Sequence, residues 1–195
     1  SFTFLFFVFY IITLEILKKI LPFKSVEKIK LFDKVKNELE GFKNSKKYEW
    51  SIWDDTKIHV GTFWDEEIQN NIEDCNVALL LVSIGFMSSN YIREKEFNVF
   101  KQKYEEKGVL IFPIVFNPCD FNQWVDLGKL QFFKPNGKEY GKAEIKDFTY
   151  GDLLKFTETN GTLIPNPNIH RYHIDLFNKI ESSFTEFIKR RESET

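Results

Sequence analysis

The sequence predicts an α/β domain in which a parallel β-sheet is covered by helices on both faces. Short apolar segments of strand length alternate with longer segments of helical periodicity, which is the pattern of βαβ units. Residues 77–82 (VALLLV) are apolar without interruption, as expected for a strand buried on both faces. With 195 residues, of which 43% are hydrophobic, the chain can bury one full core, so we expect a single domain over residues 1–195.

The first segment, residues 1–25, is unusually apolar. Residues 2–9 form a continuous apolar run, which predicts a buried strand that leads into a helix. A membrane span is the main alternative, but Glu15, Lys18 and Lys19 interrupt the segment before it reaches the roughly 20 residues that a spanning helix needs. It also lacks the basic start and the small-residue cleavage site of a secretory signal. A damaged or mispredicted N terminus is the third possibility.

The segments that follow continue the alternation. Further strands are predicted at residues 48–53, 77–82 and 109–116, and Pro113 inside the last of them indicates a strand end or an edge position. Helices are predicted at residues 26–42, after Thr62 as a Thr-x-x-Asp cap, and at residues 90–106, 124–131 and 169–191. Residues 117–167 are otherwise rich in turn residues, so we expect an irregular region there.

Composition and charge exclude several function classes. The chain carries 27 basic and 29 acidic residues, well mixed, so no basic stripe supports nucleic-acid binding. Cys75 and Cys119 have neither CxxC spacing nor the pattern of a disulfide framework, which is typical of a reducing compartment and predicts a cytoplasmic protein. The chain begins at Ser1 without Met, and we expect it to be a piece of a longer protein.

Two histidines near the last helix have a spacing that can bind a metal. His170 and His173 are three residues apart, but no Cys lies nearby and few acids are available to complete a site. We therefore interpret them as two solvated histidines and expect no metal. His59, in the loop after the second strand, is expected to be a surface residue.

Side chains that follow the strands are the candidates for ligand binding. In open parallel sheets, ligands bind beyond the carboxyl ends of the strands, near the point where the strand order reverses. The segments that this rule selects are Tyr10, Asp54 to Gly61, Ser83 to Tyr91, and Asn117 to Asp120.

Glu96 places a carboxylate on an otherwise apolar helical face, whereas Glu94 points almost to the opposite side. Its apolar neighbours on a helical wheel of residues 90–106 are Ile92, Phe97, Val99, Phe100 and Tyr104. A core-facing acid costs free energy unless it is paired or faces a cavity, and a carboxylate half withdrawn from water is a common form of catalytic group. The alternative is that Glu96 reaches solvent or pairs with Arg93 or Lys103.

Residues 53–97 carry a series of short motifs in a fixed order. They are Trp53-Asp54-Asp55, Lys57, Gly61, Trp64-Asp65-Glu66-Glu67-Ile68, Glu73-Asp74, Leu79-Leu80-Leu81-Val82-Ser83, and Ser89-Asn90-Tyr91 ahead of Glu94 and Glu96. This order resembles bacterial TIR (Toll/interleukin-1 receptor) domains, most closely over residues 51–120. The resemblance implies a flavodoxin-like three-layer fold with a parallel five-stranded sheet flanked by helices.

The likeness is weaker near both ends of the chain. Tyr10 and the two isoleucines after it stand where the family usually has a small polar and aromatic pair followed by an acidic helix start. Residues 1–25 are therefore an atypical apolar strand and helix. Val60 stands where a proline is common before the glycine, and residues 147–167 look like an insertion.

The resemblance implies an activity. Many bacterial TIR domains cleave NAD+ at the nicotinamide–ribose bond, often in antiphage signalling, and some make cyclic ADP-ribose products. The catalytic glutamate of the family lies in the helix after the Val-Ser strand, which corresponds here to Glu96, with Glu94 as the alternative. A carboxylate against the ribose stabilises the oxocarbenium-like charge that develops there, so NAD+ is the expected substrate and no cofactor is needed.

The resemblance also implies supporting residues. The residues expected to bind the substrate are Tyr10, Trp53, Ser83 and Tyr91. Alternatives are core packing for Trp53, an anchor of the helix start for Tyr91 and a cap of the following turn for Ser83. Loop residues that in TIR domains contact neighbouring copies and gate the site correspond to Asp54, Asp55, Lys57 and Gly61, and an ordinary solvated turn is the alternative for them.

Two other functions compete with an NAD+ glycohydrolase. One is a noncatalytic TIR adaptor that acts through TIR–TIR association. The other is a receiver or a nucleoside-modifying relative with the same sheet, which would need acids at residues 10–12 and 83–86, where the sequence has none. The expected partners are NAD+, other TIR domains by self-association, and a sensor outside this chain, whereas nucleic acid and membrane are not expected.

Overall fold

The computed structural model of this chain describes most of its sequence in separate stretches. They are residues 5–11, 36–54, 57–106, 108–120, 124–133, 149–154, 156–159, 162–166 and 168–193. For residues 5–11, 42, 154, 156–159 and 162–165, only the backbone is described.

Four parallel strands form the central sheet of the described part. They are β1 (Leu5–Ile11), β2 (Glu49–Trp53), β3 (Val77–Val82) and β4 (Leu110–Val115), in the spatial order β2-β1-β3-β4. The chain passes from β1 to β2 on one side and then to β3 and β4 on the other, so the strand order reverses between β1 and β3. This reversal is where open α/β sheets have their ligand crevice.

The parallel sheet with flanking helices agrees with the sequence prediction, but the expected fifth parallel strand is not among the strands of the described residues. Residues 131–133 lie beside β4, where the backbone N–H of Phe133 donates to the carbonyl oxygen of Pro113 over 2.9 Å. β4 is the last strand of the described sheet.

Helices connect and cover the strands. They are α1 (Trp64–Asp74), α2 (Ile84–Met87), a π-helical turn (Ile92–Phe97), α3 (Asn98–Glu105), α4 (Val125–Gly128), α5 (Tyr150–Leu154) and α6 (Ile169–Ser193). Residues 36–39 are also helical and lead into a 3-10 turn, Glu40–Asn44. Among the described helices, none is long and apolar enough to cross a lipid bilayer.

Side chains of β3 alternate between two core layers, which explains why all six of its residues are buried. Val77, Leu79 and Leu81 face a layer that includes Leu39, Trp50, Ile52 and the inner face of α6. Ala78, Leu80 and Val82 face a layer built by α1, the π-helical turn and α3. Each fully buried leucine contributes about 2 kcal/mol of apolar burial, so β3 is a major source of stability.

Several element boundaries differ from the sequence predictions. β1 runs from Leu5 to Ile11 where residues 2–9 were predicted, so Tyr10 lies within the strand, opposite Leu79, and not after it. The predicted helix at residues 26–42 lies partly outside the described residues, and its visible end continues past Gly41 as the 3-10 turn. Thr62 does not cap α1: its hydroxyl donates to the carbonyl of His59 over 2.8 Å, and Phe63 occupies the cap position.

The region expected to be irregular contains regular structure. Besides α5, it holds an antiparallel hairpin of β5 (Phe156–Thr159) and β6 (Thr162–Pro165). Asn-Gly, the pair between these strands in the sequence, favours a two-residue hairpin turn, and this signal was not used in the prediction.

Candidate functional site

Glu96 lies in the π-helical turn that follows β3, one of the two strands between which the strand order reverses. The amide of Asn98 donates to the carbonyl oxygen of Arg93, five residues back, where an α-helix would bond four residues back. A π-helical turn inside a helix is rare and is frequently found at functional sites. The sequence predicted an uninterrupted α-helix here, and no propensity rule signals the wider turn.

The two candidate glutamates are in opposite environments. The side chain of Glu96 is only 1% exposed, between buried Ile92 and Phe100, whereas Glu94 is exposed. The helical wheel therefore ranked them correctly. It was wrong for Tyr104, which is exposed instead of widening the apolar face.

Arg93 and Lys103, the two basic residues considered as partners for Glu96, each have a contact with another group. The guanidinium of Arg93 lies over the ring of Trp124, 5.5 Å from its centroid. The ammonium of Lys103 donates to the carbonyl of Ile72 over 2.9 Å. Because Glu96 is also almost fully withdrawn from solvent, the interpretation that it reaches solvent is wrong.

Tyr91 joins the turn that carries Glu96 to helix α1. Its hydroxyl donates to Oδ1 of Asp65 over 2.5 Å, and its ring lies against Trp64 with centroids 4.6 Å apart. Burial, and next the neighbouring carboxylates of Asp65 and Glu96, raise the pKa of the Tyr91 phenol above its usual range.

A second contact fixes the same turn. Nε2 of Gln69, one turn along α1 from Asp65, donates to the carbonyl oxygen of Lys95 over 2.9 Å. A carbonyl in a π-helical turn has altered partners within its helix, so a hydrogen bond from outside stabilises the unusual geometry.

Ser83 and Trp53 both have structural contacts. The Oγ atom of Ser83 accepts a hydrogen bond from the amide of Phe86 over 3.1 Å, so Ser83 caps α2 as its alternative interpretation stated. Trp53 is half-buried and packs against the core layer that contains Ile92 and Phe97. Trp53 is the last residue of β2, Ser83 directly follows β3, and Trp53 and Tyr91 both pack against the second core layer.

Asp54 pairs with a residue of the helix that packs against the first core layer. Its carboxylate is buried and pairs with the ammonium of Lys36 over 3.1 Å, on the side where Leu39 enters the first core layer. Lys36 could not be identified as a partner from the sequence, because it lies eighteen positions earlier in a different helix. Asp54 is therefore placed as a structural anchor of the end of β2.

The loop after β2 is held by a hydrogen bond near its start and is exposed to solvent at its tip. The ammonium of Lys57 donates to the carbonyl of Ile52, and burial lowers the pKa of Lys57, against the opposing effect of Asp54. Gly61 has φ of 95°, a left-handed conformation that side chains disfavour. Val60 and Phe63 are 106% and 76% exposed, so the tip presents apolar side chains to solvent.

Two predicted site residues have no described side chain. Asp55 lies outside the described residues. Tyr10 is described by its backbone alone, which pairs with Leu79 of β3 at the strand reversal.

The histidine pair differs from its prediction. His170 is exposed, as expected, but His173 is buried: its Nε2 lies 2.8 Å from the hydroxyl of Tyr150, and its Nδ1 lies 3.1 Å from a carboxylate oxygen of Glu38. The interpretation as a solvated residue was wrong because His173 falls on the face of α6 that contains Leu176 and Ile180. In the described part of the chain, no three His, Cys, Asp or Glu side chains are grouped so as to hold a metal ion.

Residues that sequence reasoning missed are Asp65, Gln69 and Lys36. Asp65 was visible as part of the Trp-Asp motif, but its partner Tyr91 is twenty-six positions away. Such pairings depend on how α1 packs against the π-helical turn, and that packing cannot be predicted from one sequence.

Comparison with known proteins places the chain in a family. A family model described as a TIR domain matches residues 23–147. The uncharacterized protein y4lF of Sinorhizobium fredii (strain NBRC 101917 / NGR234) is 28% identical over 86 residues, which are 44% of this chain and 26% of that protein. The chain thus matches about a quarter of the length of that relative. No solved structure gives a significant match. Because the family match covers well over half of the sequence, the chain belongs to the TIR domain family.

Proposed function

We propose that this TIR domain is an NAD+ glycohydrolase that cleaves the bond between nicotinamide and ribose, with Glu96 as the catalytic carboxylate. The observation that carries the proposal is the burial of Glu96, 1% exposed, in the π-helical turn that follows β3, one of the two strands between which the strand order reverses. A carboxylate in a core position at the crevice of an α/β sheet is an expensive arrangement, and such arrangements cluster at catalytic sites.

The chemistry needs little more than one such group. The electron pair of the ribose C1′–nitrogen bond leaves with nicotinamide, which departs neutral from a pyridinium cation. Positive charge develops on the ribose, and a carboxylate held against it in a medium poor in water stabilises that charge strongly. Water then adds its oxygen to C1′ and releases a proton, which gives ADP-ribose. If the adenine attacks C1′ instead, the product is cyclic.

Tyr91 and Trp53 are the proposed walls for the substrate. Both are half-buried against the same core layer as the turn of Glu96, and aromatic rings stack on bases and on nicotinamide. The Tyr91 phenol, whose pKa is raised further above neutral pH, stays protonated there and adds no negative charge near the carboxylate. Ser83 is assigned a supporting role through its cap of α2, and Tyr10 a place at the strand reversal.

A noncatalytic adaptor is the second candidate, and the exposed tip of the loop after β2 favours it. TIR domains generally associate with other TIR domains. Val60 and Phe63 expose apolar surface on a loop whose base is fixed by Lys57, which suits contact with a second copy. Association and catalysis are compatible, since clustering through this loop is a way to regulate the site. We place the protein in cytoplasmic antiphage or stress signalling, under a sensor outside this chain.

The decisive measurement is nicotinamide release from NAD+ by the protein when it is clustered by a multivalent tag. We expect the wild type and Glu94→Gln to release nicotinamide, and Glu96→Gln to be at least about a hundredfold slower, as when a principal electrostatic group is removed. Glu94→Gln is the matched control, because it makes the same chemical change two residues away at an exposed position.

Equal rates for Glu96→Gln and the wild type would overturn the catalytic assignment. A clustered wild type that releases no nicotinamide would favour the adaptor instead. In that case Phe63→Asp is expected to abolish self-association measured by light scattering, with Glu66→Lys as a control nearby on the exposed side of α1.

A further inference from the structure

A cavity of about 620 Å³ lies at the outer edge of β4, away from the proposed catalytic site. Leu110, Ile111 and Phe112, in the first half of that strand, are among its apolar lining residues. Glu96 and its neighbours follow the carboxyl end of β3, so the cavity is at the opposite end of the sheet from them. We propose that it is a binding site for a small amphipathic carboxylate with an aromatic body.

The size and the walls fit such a ligand. Pockets for small molecules usually enclose about 300–1,000 Å³ and are lined mainly by apolar and aromatic side chains. Here Phe112 and Phe133 form an adjacent ring pair, with centroids 5.7 Å apart, and Phe187 of α6 lines the same cavity. A ligand ring placed among these rings buries apolar surface and gains edge-to-face or stacked contacts.

The charge of the cavity selects the head group. Four polar residues of α6 line it: Lys179, Ser183, Glu186 and Arg190. Their spacing of four, three and four residues puts them on one face of the helix, so they form a row along the wall. Two cations against one carboxylate leave a net positive charge, which favours a ligand with a single negative charge.

The position of these groups separates the two ends of the ligand. Lys179 and Arg190 are exposed, whereas Ile111 and Phe112 are buried. The charged groups therefore lie nearer the opening of the cavity, and the apolar residues lie deeper in it. Arg190 can form two parallel hydrogen bonds with a carboxylate, and the Ser183 hydroxyl adds a further donor. The arrangement therefore suits a carboxylate at the mouth and a ring within.

Titration calorimetry with 4-phenylbutyrate tests the proposal, together with two probes that differ only in the head group, 4-phenyl-1-butanol and 4-phenylbutylamine. We expect 4-phenylbutyrate to bind the whole 195-residue chain about tenfold more tightly than the alcohol, and the amine to bind most weakly. Ser183→Trp fills the cavity and is expected to abolish binding. Arg190→Glu is expected to weaken binding of the carboxylate about tenfold or more, and Lys189→Glu, an equal charge change at the adjacent exposed position, is expected to leave it unchanged.

The results separate specific from general binding. No binding of the carboxylate, equal affinity for all three probes, or undiminished binding by Ser183→Trp would each overturn the proposal. An equal loss in Lys189→Glu and Arg190→Glu would also overturn it, because the effect would then be one of net charge. Unchanged circular dichroism of the Ser183→Trp and Arg190→Glu proteins shows that loss of binding is not loss of folding.

Discussion

The hydroxyl of Tyr91 and the carboxylate of Asp65 form a 2.5 Å hydrogen bond that connects the turn carrying Glu96 to the first turn of α1. α1 begins where the loop after β2 ends, so this bond couples the loop to the proposed catalytic carboxylate. The contact between Gln69 and the carbonyl of Lys95 reinforces the same connection one turn further along. A change in the loop on the proposed association with a second copy would therefore reach the turn of Glu96 through this bond.

Tyr91→Phe is predicted to lower the free energy of unfolding by about 1 kcal/mol at neutral pH, the value of one hydrogen bond at a half-exposed site. Through the proposed coupling, the same substitution is also expected to slow nicotinamide release, because the aromatic ring stays in place and only the hydrogen bond is lost. Urea denaturation and the NAD+ assay measure the two effects. Tyr104→Phe, which alters an exposed phenol, is the control and should leave both unchanged.

The stability difference between wild type and Tyr91→Phe is predicted to depend on pH. The folded pKa of Tyr91 is raised above the ordinary value of 10.0, so the folded state holds the phenolic proton more tightly than the unfolded state does. The stabilisation is therefore complete below about pH 10 and is lost as the pH rises through the folded pKa. Denaturation at pH 8 and at pH 11 tests this, and a difference that grows with pH would contradict it.

The buried pair of Lys36 and Asp54 is predicted to have a coupling energy of about 1–2 kcal/mol in a double-mutant cycle with Lys36→Met and Asp54→Asn. The carboxylate is 1% exposed, so water screens the pair poorly, although the 30% exposure of the lysine side chain moderates the effect. Thermal and urea denaturation supply the free energies. The exposed pair of Lys43 and Glu40 is the comparison and should couple by under about 0.5 kcal/mol. Equal coupling in the two pairs would show that burial contributes nothing.

The sequence predicted the sheet better than the connections between its elements. β3 was placed correctly from an uninterrupted apolar run, and Glu96 was identified as buried from helical periodicity. Both signals are local and repeat along one element. The hairpin of β5 and β6 was overlooked because its strands are four residues long, too short for periodicity to separate them from a loop.

Long-range pairings were beyond the sequence for a different reason. His173 was interpreted as solvated because no Cys and few acids lie near it in the sequence to complete a metal site, whereas its partners Tyr150 and Glu38 lie far away in the sequence. Asp54 likewise appeared to be a loop residue until Lys36 was brought beside it. The distant partner of a buried polar residue leaves no periodic signature, so a prediction from one sequence does not identify that partner.

Tyr150→Phe is predicted to lower the free energy of unfolding by about 1–3 kcal/mol. The hydroxyl is fully buried and lies 2.8 Å from Nε2 of His173, so its removal deprives a buried nitrogen of that hydrogen bond. Burial first, and then Tyr172 and Glu38, raise the pKa of Tyr150, so the phenol stays protonated throughout the test. Urea denaturation at neutral pH measures the loss. A variant as stable as the wild type would show that the hydroxyl is not part of the core.

Gly151→Ala is predicted to lower the free energy of unfolding by about 2–3 kcal/mol, which is more than the loss expected for Gly61→Ala. A Cβ atom at Gly151 would lie 2.6 Å from the carbonyl oxygen of Phe116, a backbone atom that cannot rotate away. The amide of Gly151 donates to that same oxygen over 2.9 Å, so the close approach joins α5 to the end of β4. Gly61→Ala is the matched control: nothing lies within 4 Å of its new Cβ, and only the left-handed backbone, with φ of 95°, opposes the change, at about 1 kcal/mol. Thermal denaturation ranks the two variants, and a smaller loss for Gly151→Ala than for Gly61→Ala would mean that α5 moves away from β4 without cost.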